Sequence, residues 1–500
     1  MNDLKIALGQ CFWIGINGTT LDDPYSKEIF KTFQPGGICL FQRNVESIEQ
    51  VTKLNSSLQK ASSIPMFLAV DQEGGTVERL HKLIGSIPPA MALAAARAPR
   101  GAKKIHTAHA RILNALGFNV NFTPVLDLAV QNADNGLGTR CFSNHPPVVA
   151  RFAREVIDAH GRAGVLPCGK HFPGLGDTDR DSHQALPTVP RSWKQIERED
   201  LYPYKKLLSK LPFIMINHAL YPEKNSRLPA SLAKEIVTDF LLRKWNYEGF
   251  SISDDLIMGA VSNLYNLTES CEKALAAGNH LFLICRPEEV VVVFKKLLRR
   301  VQRSEKLQQT VYRNCSKILS YKFEFFKQPK RVISIPQEIR RIRKYSESLS
   351  EAAITPMRFA PIQKSIQSCT LFYPRTKWLS EGPGNLLQFL ERKGIETRAE
   401  SFALQISDDE GARLAAKSNT EWNVVVVTNP GFHQGQMKLI QDLVRKKKKV
   451  AVICGAFPFA EFPEEIKQVI AAYWTWPDAL KAAIRGLIGE RKMKGHLPFR

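Results

Sequence analysis

Residues 165–183 read VLPCGKHFPGLGDTDRDSH: an apolar run closes on Lys170 and His171, and a glycine-rich loop then carries three Asp and a second His. A short apolar run bounded by turn residues is the pattern of a buried strand. It recurs at GGICLF (36–41), MFLAVD (66–71), VNFTPVLD (120–127), FIMINH (213–218), GFSISD (249–254) and HLFLIC (280–285). Between the runs lie helical stretches such as GAKKIHTAHARILNALG (101–117) and VVARFAREVIDAHGRAG (148–164). Strand and helix thus alternate over roughly 300 residues, which is the order of an α/β fold. The number of runs favours closure into a (β/α)8 barrel over an open, doubly wound sheet.

Barrel enzymes build their sites from the loops at the carboxyl ends of the strands. Five of the runs end in Asp71, Asp127, His171, His218 and Asp254, so polar groups are expected to converge on one mouth. In the opening stretch Asp181 and His183 stand two apart, which in an extended loop puts both side chains on one side. A carboxylate beside an imidazole fixes its tautomer and raises its pKa, giving a proton donor near neutral pH. Gly174 and Gly176 allow the tight backbone path that delivers the pair. DTDRDS alone would also suit a loop of self-capping Asp and Ser, and its place at a strand end argues against that. Of the neighbours Asp254 and Asp255, one is expected to face the mouth and the other to cap a helix or accept backbone N–H groups. DQEGGTVERL (71–80) offers Asp71, Glu73 and Arg79 around a glycine pair, and GLGTRCFS (136–143) offers Arg140.

A chain of 500 residues exceeds one ordinary core, so two domains are expected. Residues 1–331 hold the barrel, 332–358 turn charged and irregular as a linker helix would, and 359–500 alternate strand and helix again as a smaller αβα domain. The second domain has no G-x-G-x-x-G or P-loop pattern, and no cofactor is expected. With 44% hydrophobic and 24% charged residues the composition is that of a soluble globular protein. No apolar run has the length of a membrane span, and the first twenty residues lack a cleavage pattern, so a cytoplasmic location is expected. The nine Cys are scattered through apolar runs, which suits reduced, buried thiols better than disulfides or a zinc site. A formal charge of +22 invites nucleic acid as a partner. Against that, Lys and Arg are dispersed, and the dense run RKKKKV (445–450) leads straight into VAVICGAF, as a solvated helix end before a strand would.

Taken together, DQEGGTVERL, NFTPVLDL, GTRCFS, KHFPGLGDTDRDSH, MINHALYP, LPASL and SDDLIMGA, in this order and spacing, closely resemble the β-N-acetylglucosaminidase type of glycoside hydrolase family 3. The resemblance covers roughly residues 5–320, and the D-S-H of 181–183 separates this type from the family's β-glucosidases. Residues beyond the linker, including GHLP (495–498), more weakly resemble the family's second domain. The resemblance implies a retaining mechanism with Asp254 as nucleophile and His183 as general acid/base, assisted by Asp181. It implies that Asp71, Arg79, Arg140, Lys170 and His171 hold the sugar, with His218 a further contact. The partner is then a carbohydrate, terminal β-linked N-acetylglucosamine of peptidoglycan fragments, with neither cofactor nor metal. One departure is Thr76, where the family commonly has Arg after the glycine pair; Arg79 keeps its distance from Asp71. Retaining glycosidases usually use two carboxyl groups, but an imidazole needs little tuning to exchange a proton at neutral pH. Rival readings are a metal-dependent hydrolase with His171, Asp177, Asp181 and His183 as ligands, a phosphorolytic enzyme, and a non-catalytic sugar-binding protein.

Overall fold

The computed structural model describes residues 2–499 apart from 132–134, 179–180, 183, 329–331, 361, 363–365, 377–378 and 380–382. Eight parallel strands close a barrel in chain order: β1 (Phe12–Gly15), β2 (Gly37–Leu40), β3 (Phe67–Val70), β4 (Val120–Asn121), β5 (Leu166–Phe172), β6 (Phe213–Ile216), β7 (Phe250–Asp255) and β8 (Leu281–Ile284). Six further strands follow: β9 (Thr355–Phe359), β10 (Ser368–Pro374), β11 (Glu396–Phe402), β12 (Trp422–Val427), β13 (Lys449–Cys454) and β14 (Gln468–Ala471). They form one sheet in the order β11-β10-β12-β13-β14-β9, parallel except where β9 runs against β14. A (β/α)8 barrel followed by an αβα layer is therefore the architecture.

The strands differ from the sequence expectation where boundaries lack a chemical mark. β1 was not anticipated, because the helix Asn2–Cys11 runs into FWIG with no turn residue between them. VNFTPVLD is a strand only over Val120–Asn121, since Pro124 has no N–H to give a ladder. β11 (ETRAESF) is a largely polar edge strand with no apolar run to reveal it. The stretch AAYWTW supplies only the last residue of β14, for Tyr473 at φ +69° turns the chain away. Segment 332–358 holds two elements. The helix Ile335–Ala353 meets the barrel helix Pro99–Ala115 through Arg111 and Glu338 at 3.2 Å, and the chain then enters β9.

The barrel interior is a packed core. Trp13 on β1 lies 5.3 Å from the Phe213 ring and 5.5 Å from Phe67. It fits because Gly37 stands beside it on β2, where a Cβ would sit 2.7 Å from the indole. The helix Glu305–Phe326 closes the amino-terminal end of the strands, and its Lys322 Nζ donates to Gln10 Oε1 at 2.7 Å and the Gly36 carbonyl at 2.8 Å. Burial brings that ammonium down to about 7. A cavity of about 1050 Å³ beside Leu166, Pro167, Leu211 and Pro212 lies at this same end, away from the strand ends that carry polar groups. All nine cysteines are free and buried. The helix Gln434–Arg445 ends in the exposed Lys446 and Lys447 before β13, as the basic run suggested. Among the described residues no helix is long and apolar enough to cross a membrane.

Between the helices Pro99–Ala115 and Pro146–Arg162 three histidines are buried: His106, His109 and His160. Burial lowers His109 to about 3 and His160 to about 4, and holds His106 well below its usual value. Neither ring nitrogen of His109 has a hydrogen-bond partner among the described residues. All three are thus neutral in the folded chain, whereas the unfolded chain takes up their protons below a pKa of about 6.5. Their contribution is complete above about pH 6.5 and is lost as the pH falls, by about 1.4 kcal/mol per histidine per unit. Urea unfolding followed from pH 7 to 5 should therefore show falling stability, and His109→Gln should reduce the slope by one proton. A slope untouched by that substitution would contradict a neutral, buried His109.

Candidate active site

Two irregularities in strand pairing shape the carboxyl-terminal mouth. The register of β5 on β6 shifts between Gly169 and Phe172, and that of β7 on β8 shifts between Ile252 and Asp255. Bulges at a barrel rim re-aim the side chains they contain. The first interval holds Lys170 and His171, the second Ser253 and Asp254.

After β3 the chain turns on Gly74 (φ +118°) and Gly75 (φ +60°), where a Cβ would strike Ile87 and Pro89. This turn brings Asp71, Glu73 and Arg79 to the rim. Lys170 Nζ lies 2.8 Å from Asp71 Oδ1 and 2.5 Å from Glu73 Oε1. Arg140, on the turn Gly138–Arg140, grips Glu73 with both ends of its guanidinium at 2.9 and 2.8 Å. Arg79 reaches Asp71 at 3.5 Å and lies over the Phe41 ring. Burial alone would raise both carboxyls. Lys170 and Arg79 outweigh it at Asp71, which falls below the usual carboxylate range, and Arg140 and Lys170 bring Glu73 to about 2. Burial works against the Lys170 ammonium too, but Asp71 and Glu73 raise it, so it stays charged.

His171 joins this network to the strand behind it. Its Nδ1 lies 2.6 Å from Asp127 Oδ2 and its Nε2 3.4 Å from an Arg140 N–H. Nδ1 therefore donates to the carboxylate, and Nε2 faces the guanidinium. Asp127 also accepts the backbone N–H of His171 and, at 2.8 Å, that of Leu175. The loop after β5 is pinned further by Asn135, which donates to the Leu175 and Gly176 carbonyls, and by the Tyr221 hydroxyl, which donates to Gly174. Asp177 turns toward Arg191, which also pairs with Asp200 at 2.8 Å and with Glu199.

At the end of β6, His218 Nδ1 lies 2.7 Å from the Ser231 hydroxyl and Nε2 3.1 Å from the Asp255 carbonyl. It thereby abuts the β7 bulge. Asp254 Oδ1 accepts the Asp255 N–H, while Asp255 Oδ1 accepts the N–H groups of Cys285 and Ile257, the backbone role foreseen for one of the pair. Burial raises Asp255 to about 6 in spite of those bonds. Burial raises the Cys168 thiol of β5, and the Lys170 ammonium works against it.

Asp181 is brought to the same mouth: a Cβ on Gly136 would lie 3.2 Å from its Oδ2, so its carboxylate rests against the loop that carries Arg140. His183 lies outside the described residues. Asp71, Arg79, Arg140, Lys170 and His171 thus form one connected cluster, with Asp254 and His218 at the neighbouring strand ends. Among the described residues no group of three His, Cys, Asp or Glu could hold a metal ion. Glu73 and Asp127 complete the cluster. Both stand in quoted motifs, Asp127 closing its apolar run as Asp71 does. Tyr221 also stands in a quoted motif, MINHALYP, though with no role read for it, and Asn135 carried no sequence signal.

The profile of the glycosyl hydrolase family 3 N-terminal domain matches residues 18–321. A β-hexosaminidase of Nitrosomonas eutropha is 34% identical over 279 residues, which are 54% of this chain and 79% of that protein. One of Bordetella avium is 36% identical over 262 residues, 51% of this chain and 74% of its own. The solved structure of a family 3 β-N-acetylglucosaminidase from a Paenibacillus species superposes with a TM-score of 0.88 at 28% identity, covering 99% of this chain and 98% of that one. The match takes in every strand from β2 to β8 together with the whole polar mouth, and the chain is a glycoside hydrolase belonging to family 3.

Proposed function

We propose that the chain is a retaining exo-β-N-acetylglucosaminidase that releases terminal β-linked N-acetylglucosamine through a covalent glycosyl-enzyme. The observation that carries the reading is the cluster of Lys170, Asp71, Glu73 and Arg140 beside the β7 bulge that presents Asp254. A pyranose needs donors and acceptors around its ring, and this cluster supplies both. Asp71, held ionised by its cations, accepts from sugar hydroxyls at any working pH, and Lys170, Arg79 and Arg140 donate. His171, with Nδ1 fixed by Asp127, and His218 complete the ring of contacts.

Asp254 attacks the anomeric carbon while His183 protonates the leaving oxygen, and His183 then takes a proton from the water that releases the sugar. Asp181 orients His183 and stabilises its charged form. The names of the relatives support the N-acetyl sugar as substrate. On this reading the source is peptidoglycan fragments in the cytoplasm, a reducing compartment that suits nine unpaired thiols.

The direct test compares an aryl β-N-acetylglucosaminide with the matching β-glucoside, free of metal and phosphate. The expected result is a preference of about 100-fold or more in kcat/KM for the N-acetyl sugar. Turnover only after phosphate is added would make the enzyme phosphorolytic instead. The role of His183 predicts a split between leaving groups. His183→Ala should slow substrates with poor leaving groups by about 10²–10⁴-fold and nitrophenyl substrates far less. Equal losses on both would reduce His183 to a structural part.

A further inference from the structure

We propose that Phe457, in the turn that follows β13 of the second sheet, is a positioning residue for the sugar site, acting through the loop 135–143. That loop touches the site at three places. Asn135 donates to the Leu175 and Gly176 carbonyls at 3.0 and 2.8 Å, Gly136 lies against the Asp181 carboxylate, and Arg140 grips Glu73. Its other side is held from beyond the barrel. Gly138 has φ +45° and no side chain, and a Cβ there would lie 3.7 Å from Cβ of Phe457. The Ser143 hydroxyl donates to the carbonyl of Pro498, near the end of the chain.

Phe457 is itself tightly fixed. It is 3% exposed, and its ring lies 4.9 Å from that of Phe459 and 5.9 Å from that of Phe499, which are 4.3 Å from each other. Its backbone N–H donates to Asn429 Oδ1 at 3.1 Å, and Gly455 N–H donates to the Val427 carbonyl at 2.7 Å. The aromatic group is therefore built on the carboxyl ends of β12 and β13, the edge at which α/β sheets present their working loops. Leu137, Thr139, Cys141 and Phe142 anchor the loop in the barrel core, while Gly138 between them has no side chain of its own to pack. At Gly138 the packing comes from Phe457, so this side of the turn, two residues before Arg140, is set from outside the barrel. Misplacing a binding group by about 1 Å is enough to weaken a site greatly.

The inference rests on the reading of Arg140 as a sugar contact, and two readouts separate the two claims. Amide exchange of residues 135–143 and KM for the aryl β-N-acetylglucosaminide are measured for wild type, Phe457→Ala, the milder Phe457→Leu, and Leu414→Ala. Leu414 lies in a core of the second sheet that does not include Phe457 and serves as the control for general loosening. Phe457→Ala should speed exchange in 135–143 by about tenfold and raise KM by about tenfold with kcat little changed, and Phe457→Leu should restore most of both. In an Arg140→Ala background the same substitution should add less than about twofold to KM. Wild-type exchange in folded Phe457→Leu and Phe457→Ala, or the same effects from Leu414→Ala, would overturn the proposal. Faster exchange at an unchanged KM would uphold the strut and refute the sugar contact of Arg140.

Discussion

Lys170 is an ammonium almost entirely removed from water, and the mouth of the barrel is arranged around it. Buried charge is tolerated only with close, well-placed partners, and removing one member of such a set typically costs about 3–5 kcal/mol. Lys170 has two such partners, Asp71 from the end of β3 and Glu73 from the glycine turn beyond it. Each partner is in turn held by an arginine, and Arg140 extends the set to His171 and so to Asp127 behind it. The strand ends β3, β4 and β5 are thereby locked into one electrostatic unit. The cations hold both carboxyls below their ordinary range, and the two carboxylates in turn raise the Lys170 ammonium. On the proposed reading, a sugar entering this mouth would meet hydrogen-bonding groups that need no reorganisation, which is how a preorganised site favours its transition state.

The backbone prepares this arrangement in ways a sequence states only in part. Apolar runs that end abruptly in Asp71, His171, His218 and Asp254 were legible because burial inside a barrel demands apolar strands and the rim does not. The pairing of Glu73 with Arg140 was not, since the two are 67 residues apart and only closure of the barrel brings them together. Asp127 was visible at the end of its run, yet its task of fixing the His171 ring depends on the β4–β5 neighbourhood. The bulges that aim Lys170, His171 and Asp254 left no mark in composition. β1 was hidden by the helix running into it, and β11 by its polar alternation at a sheet edge.

The second sheet stands in a different relation to the site from that of the barrel. It offers no charged group to the cluster among the described contacts. Its aromatic residues and the chain's last turn instead clasp the loop that carries Arg140 and borders Asp181. The polar cluster lies in the barrel, and one of its loops packs against a neighbouring layer. This division follows from the geometry of a (β/α)8 mouth, where long loops carry working residues and need support from outside the strands.

The central claim is that Asp254 forms a bond to the sugar while the Lys170 network holds the ring. Mass spectrometry after incubation with a fluorinated, activated N-acetylglucosaminyl donor, whose glycosyl-enzyme hydrolyses slowly, tests it most directly. The account predicts one glycosyl residue added per chain, on the peptide containing Asp254. An unmodified chain that still turns over the donor, or an adduct on any other carboxylate, would contradict it.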